Sequence, residues 1–313
     1  MRRLLPLALL LLAPLAGCGG DEGGAAGGKM RVVATTSQVA DLVRNVGGAR
    51  VEVRQLLSVG ADPHGYEPKP SDARALAQAE LVFRSGGDLD EWLGDLVDNA
   101  GGDADVVTLI DSVRTRGGAG AGGDHDDEVD PHWWQDPRNA VLAVTAIRDE
   151  LVRHDPAGRA EYRRSTAEYV RRLRRLDAQI ARCMAQVPKD KRKLVTTHDS
   201  LGYFAARYDV EVVGALIPSL STQAQPSARD IARLVDQIRD EGVEAIFPET
   251  ALNPKLERAV SRDADARVGR SLWADSLGPK GSDGATYLGA MASNTEALVE
   301  GMTGGERSCR PRV

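Results

Sequence analysis

The chain alternates short valine- and leucine-rich runs with amphipathic segments, and it does so in two successive series. The first series contains "MRVVATT" (30–36), "VEVRQLL" (51–57), "ELVFRS" (80–85) and "ADVVTLI" (104–110). The second contains "KLVTTH" (193–198), "VEVVGAL" (210–216), "VEAIFPE" (243–249) and "ARVGRSLWA" (266–274). Runs of this length and composition read as strands, and strands separated by helical patterns pair in parallel. The expected fold is α/β, with two (β/α) domains that each hold a mostly parallel sheet. Residues 30–313 exceed a typical single domain, which fits two.

Between the series runs "DPAGRAEYRRSTAEYVRRLRRLDAQIARCMAQVP" (155–188). Asp155 reads as its N-cap, Pro156 as its first helical residue and Pro188 as its stop. Tyr162, Thr166, Tyr169, Leu173, Leu176, Ile180, Cys183 and Val187 step by fours and threes, so one face is buried along the whole length while arginines crowd the other. This predicts one long, stiff helix (155–188) joining an N-terminal lobe (30–154) to a C-terminal lobe (189–313).

The chain opens "MRRLLPLALLLLAPLAGCGG" (1–20), two arginines and an apolar run too short for a permanent membrane span, as in a secretory signal. "LAGC" (15–18) resembles a lipobox, whose cysteine, here Cys18, carries the lipid and becomes the mature N-terminus. The expectation is a signal peptide over 1–18, a glycine-rich tether over 19–29 and a location outside the cytoplasm, anchored to the membrane. Without Arg2 and Arg3, 38 basic residues face 46 acidic ones, a balance that argues against nucleic-acid binding. The remaining cysteines, Cys183 and Cys309, read as a disulfide in that oxidising space.

The five histidines are His64, His125, His132, His154 and His198. His64 follows the strand run 51–57, His132 lies in "DPHWWQDPRNA" ahead of a helix starting near Asp136 and Pro137, and His198 directly follows "KLVTT". Ligands of open parallel sheets bind beyond the carboxyl ends of the strands, where these three histidines fall. Asp275 follows the last strand run and supplies a fourth donor. Three imidazoles and one carboxylate suit tetrahedral Zn²⁺, and ligands drawn from both lobes would place the ion between them. "GGAGAGGDHDDEVD" (117–130) formally contains G-x-G-x-x-G at Gly118, Gly120 and Gly123, but it follows no strand and opens no helix, so it reads as a mobile acidic loop.

"VVATTSQVADLVRNVGG", "DPHGYEPKPSD", "PHWWQDPRNA", "VTTHDSLGYFAARYDVEVVGAL" and "DSLGPKG…TYLGAM" follow one another along nearly the whole mature chain. In that order they resemble the metal-capturing substrate-binding lipoproteins of ABC transporters, a family of zinc and manganese binders. The resemblance implies two lobes on one long helix, a metal at their interface, and partners in a membrane permease and its cytoplasmic ATPase. It carries the ligand positions onto His64, His132, His198 and Asp275. Histidine at the third position resembles the zinc branch, since manganese binders usually have glutamate there; Zn²⁺ is the expected cargo, with a manganese- or iron-binding member of the same family the alternative. The chain departs from the family in a histidine-rich loop reduced to "GGDHDDEVD", with His125 alone, and in "SGG" (85–87) before "DLDEWL".

Glu249 in "FPET" could accept from a ligand imidazole or cap a helix, and Asp199 and Asp136 could orient rings or, more simply, cap helices. Trp133 and Trp134 would wall the site or fill the core, and His154 reads as surface. Four protein ligands close the zinc sphere, so the expectation is a monomeric binding protein and not an enzyme. The rivals are a zinc hydrolase with Glu249 as base, which no motif supports, and a surface adhesin with a structural metal.

Overall fold

A computed structural model describes residues 28–117 and 129–313. Cys18, the signal stretch, most of the tether, His125 and the glycines at 118, 120 and 123 lie outside the described residues.

The first lobe is a parallel sheet of β1 (Met30–Ala34), β2 (Val51–Gln55), β3 (Leu81–Arg84) and β4 (Asp105–Thr108) in the order β2-β1-β3-β4. Side chains alternate across it with the period of two that a strand imposes. Val32, Ala34, Leu81 and Phe83 pack with α1 (Ser37–Gly47) and α4 (Pro137–His154). Val33 and Val82 face α2 (Pro70–Gln78) and α3 (Leu93–Ala100) instead.

The second lobe repeats the plan. β5 (Lys193–His198) pairs with β6 (Glu211–Ile217), and β7 (Ala245–Ile246) with β8 (Arg267–Val268), all in parallel. A bridge from Thr196 to Phe247 sets β7 beside β5, so the order β6-β5-β7-β8 reproduces that of the first sheet. α7 (Ala228–Glu241) and α8 (Lys255–Ala264) cover one face; α6 (Gly202–Tyr208) and α9 (Tyr287–Met302) pack with the other. β7 and β8 are much shorter than the runs 243–249 and 266–274 suggest. Pro248 has no N–H for the ladder, and parallel pairing resumes only at Glu249 and Leu272.

The linking helix α5 spans Arg159–Met184, shorter at both ends than 155–188. Asp155 caps a separate 3-10 turn over Pro156–Gly158, its Oδ1 accepting from the Gly158 N–H at 3.2 Å. After Met184 the chain leaves the helix through turn residues and reaches Pro188 outside it. Every position of the expected apolar stripe is buried, Val187 included. A single apolar cluster runs from Val32 and Leu42 in the first lobe, through Tyr169, Leu173 and Leu176 of α5, to Phe247, Leu272 and Met291 in the second. The Cys183–Cys309 disulfide ties the C-terminal tail to the end of α5. No described helix is long and apolar enough to cross a membrane.

Candidate metal centre

His198 is the last residue of β5, His64 lies in the loop between β2 and α2, and His132 precedes the tight turn Trp133–Gln135 that leads into α4. Asp275 follows the Glu249–Leu272 bridge. The structure brings these four side chains together, with one donor atom from each lying within 4.8 Å of all the others. The His64 and His198 Nε2 atoms are each 3.2 Å from Asp275 Oδ2, and His132 Nε2 is 3.5 Å from Oδ1. All four side chains are at most 5% exposed.

Neighbouring carboxylates fix which ring nitrogen is free. Asp130 Oδ1 lies 2.8 Å from His132 Nδ1 and also accepts the His132 backbone N–H at 2.9 Å. Glu249 Oε1 lies 2.7 Å from His198 Nδ1 and accepts that residue's backbone N–H at 3.1 Å. An ionised carboxylate only accepts, so each Nδ1 carries the proton and each Nε2 presents a lone pair. Those two Nε2 atoms stand 3.2 Å apart, against an Asp275 carboxylate whose two buried oxygens take no hydrogen bond. Converging lone pairs and an unpaired buried carboxylate repel one another, and a cation relieves that repulsion.

The same carboxylates that would attract a cation also attract protons, which compete with a metal ion for the Nε2 lone pairs. Burial opposes a charged His198 imidazole, but Glu249 and Asp275 outweigh it and hold its pKa well above the ordinary value. Burial likewise raises Asp275, yet His198 and His132 hold it well below the usual carboxylate range. Arg116 Nη1, 3.1 Å from Asp130 Oδ2, balances one of the surrounding carboxylates. Of the carboxylates within hydrogen-bonding distance of the rings, Asp275 and Glu249 remain, and their negative charge favours a cation at the cluster.

The second-tier residues divide. Glu249 touches the His198 ring and caps no helix. Asp199 neither caps nor orients: Leu201 stands at the N-cap of α6, and Asp199 Oδ2 is buried without a partner. Burial, reinforced by Asp130, pushes its carboxyl up to about 6. Asp136 caps α4, accepting from the Arg138 N–H at 2.9 Å. Trp134 both fills core and borders the site, its ring centroid 5.5 Å from that of His132. His154 stands outside the cluster, its Nε2 3.2 Å from Asp105 Oδ2. In "SGG", Ser85 Oγ accepts from Trp133 Nε1 at 3.1 Å, and Gly87, at φ 65°, lets the loop approach the Pro131 backbone next to His132, where a Cβ would sit 3.2 Å from Pro131 Cα.

Sequence reasoning missed Asp130. Its signal was available: Asp-Pro-His occurs at 62–64 and again at 130–132, each time setting a carboxylate two residues before the histidine. The stitching of the lobes was also missed. Trp134 Nε1 and Gln135 Nε2 donate to Ala274 O at 3.0 and 3.1 Å, and the Leu277 N–H donates to Ser37 Oγ at 2.8 Å, so first-lobe groups hold the loop bearing Asp275.

Two lobes of matching topology that bury a cation-shaped donor cluster between them define a cleft-type binding protein. The chain matches the family described as zinc-uptake complex component A, periplasmic, over residues 32–301, and it belongs to that family. It is 31% identical over 293 residues to the manganese-binding lipoprotein MntA of Halalkalibacterium halodurans, covering 92% of this chain and 94% of that one. Similarity to the metal ABC transporter substrate-binding lipoprotein FimA of Streptococcus parasanguinis is 29% over 309 residues, 96% of this chain and 98% of the relative. Among solved structures, the periplasmic zinc-binding protein TroA of Treponema pallidum superposes with a TM-score of 0.80 at 28% identity, covering 88% of this chain and 99% of that one. The chain is therefore a substrate-binding lipoprotein of a metal ABC transporter, extracytoplasmic and membrane-anchored, and not an enzyme.

Proposed function

We propose that the protein captures Zn²⁺ through His64, His132, His198 and Asp275 and hands it to a membrane permease driven by a cytoplasmic ATPase. In this reading the lobes 30–154 and 189–313 act as one monomeric carrier on the linker 155–188, held to the membrane by lipid on Cys18, with no role for nucleic acid. The observation that carries it is the donor set: three imidazole Nε2 atoms and one carboxylate converge, with two of the tautomers fixed by Asp130 and Glu249. Nitrogen-rich, four-donor sites suit zinc, whereas manganese favours more oxygens and a higher coordination number.

Manganese is the second reading. Both Asp275 oxygens face the imidazoles, at 3.2 and 3.5 Å, which would allow bidentate coordination and a larger sphere. The relative from Halalkalibacterium halodurans is itself named for manganese.

Metal analysis of the purified protein and competitive titration with the two ions decide between them. The expected outcome is one Zn²⁺ per chain, tighter than Mn²⁺, with affinity lost by orders of magnitude in His198→Ala. Unchanged affinity in that variant removes the site, and tighter Mn²⁺ binding removes zinc as cargo. A carrier stays folded and reloadable after chelation, while a structural metal in an adhesin would leave the stripped chain unfolded.

A further inference from the structure

The three imidazoles are not held alike. His132 and His198 are braced at Nδ1 by carboxylates, whereas the His64 Nδ1 makes no hydrogen bond to any described residue. His64 also lines a cavity of about 290 Å³ with Asp88, Glu91, Pro131, Leu220 and Ser221, which gives its loop room to move away from the centre. What fixes this ligand is its backbone: the His64 N–H donates to Asp62 Oδ1 at 3.0 Å. The other oxygen of the same carboxylate, Oδ2, accepts from Thr222 Oγ1 at 2.6 Å, and Thr222 belongs to the second lobe. A second bond runs beside it, from the Gly60 N–H to Ser276 Oγ at 2.6 Å, next in sequence to Asp275.

We propose that Asp62 and Thr222 form a latch between the lobes: one carboxylate holds the backbone of His64, the imidazole that has no carboxylate brace among the described residues, and clasps the opposite lobe, so that opening it frees His64 and sets the rate at which cargo leaves. The latch rests on the ligand set proposed above. Thr222 is a positioning residue, since it acts through Asp62 and touches no cargo. Its hydrogen bond to an ionised carboxylate is of the stronger, charge-assisted kind. A permease that draws Thr222 off Asp62 would loosen one ligand and leave the other three in place.

The test is stopped-flow transfer of Zn²⁺ from the loaded mature protein to excess chromophoric chelator, repeated with Mn²⁺ if that is the ion retained. Thr222→Val keeps the shape and removes the hydroxyl, and should raise the dissociation rate about tenfold, the scale of one hydrogen bond to a charged group. Thr222→Ser restores the hydroxyl and should return the rate to within about twofold of wild type, which rescue by packing alone would not do. In a double-mutant cycle with Asp62→Asn, the Thr222→Val effect should largely disappear, because the bond has already lost its charged partner. Wild-type dissociation from Thr222→Val, or equal speeds for the valine and serine variants, overturns the latch while leaving the metal centre standing. A wild-type protein that retains neither ion overturns both.

Discussion

At the scale of single residues, the proposed centre rests on groups outside its four donors. Glu249 and Asp130 set the tautomers of His198 and His132, and without them each ring could present Nδ1 or turn away. Replacing Glu249 with alanine should therefore weaken metal binding by about 10- to 100-fold, the usual cost of losing such a support. Competition with a chelator of known affinity measures it, and a wild-type constant in Glu249→Ala would show that the ring needs no support. Asp199 should behave otherwise, because its carboxyl bonds neither ring; Asp199→Asn should leave affinity within about threefold, against the 10- to 100-fold scale of a true ring partner.

At the scale of elements, α5 and its two ends carry the stability. Leu173 is fully buried in the middle of the helix, and Leu173→Ala should destabilise the protein by about 2–5 kcal/mol, read from urea unfolding. The Cys183–Cys309 bridge closes a sequence separation of 126 residues, so the chain-entropy account gives it about 4–5 kcal/mol. A Cys183→Ser/Cys309→Ser variant that unfolds at the wild-type urea midpoint would deny the bridge that role. At the 3-10 turn that precedes the helix, the Arg50 guanidinium, 2.7 Å away, holds the Asp155 carboxyl below its ordinary value, with burial pulling the other way. A lowered folded-state pKa gives stability that is present above the unfolded carboxylate value of about 3.9 and lost as pH falls through the folded one. The urea-midpoint gap between wild type and Asp155→Asn should accordingly hold steady above about pH 5 and narrow below about pH 4. A gap that persists unchanged to pH 3 would assign Asp155 to packing instead of charge.

At the scale of the whole molecule, the continuous apolar cluster decides how the lobes can move. Wide hinge closure would have to pull Tyr169, Leu173 and Leu176 away from one lobe or the other, exposing core to water. The hydrogen bonds that Trp134 and Gln135 donate to the Asp275 loop, and the one that Ser37 Oγ accepts from it, would break with it. Metal-free and loaded forms should therefore differ by local loop rearrangement, with lobe rotation below the roughly 15° of a large subunit shift. Small-angle scattering and structures of both forms check this, and a larger rotation would show that the shared core can be split.

Much of this protein was legible in the chain itself, because its signals are local. Strand and helix periodicities reported two α/β lobes, the four-three stripe from Tyr162 to Val187 reported the buried face of α5, and the positions of His64 and His198 after strand runs placed them at the mouths of parallel sheets. Lengths were less legible. Strands β7 and β8 stop early where Pro248 interrupts the ladder, and Asp155 spends its carboxylate on a 3-10 turn instead of the long helix. Other features belonged to the tertiary structure alone. That His132 and His198 face each other at 3.2 Å, that Asp275 reaches both with no donor of its own, and that Asp62 spans from His64 to Thr222 are contacts between residues 66 to 160 positions apart. No local pattern encodes a distance between remote side chains; only packing the two lobes around α5 brings them within reach.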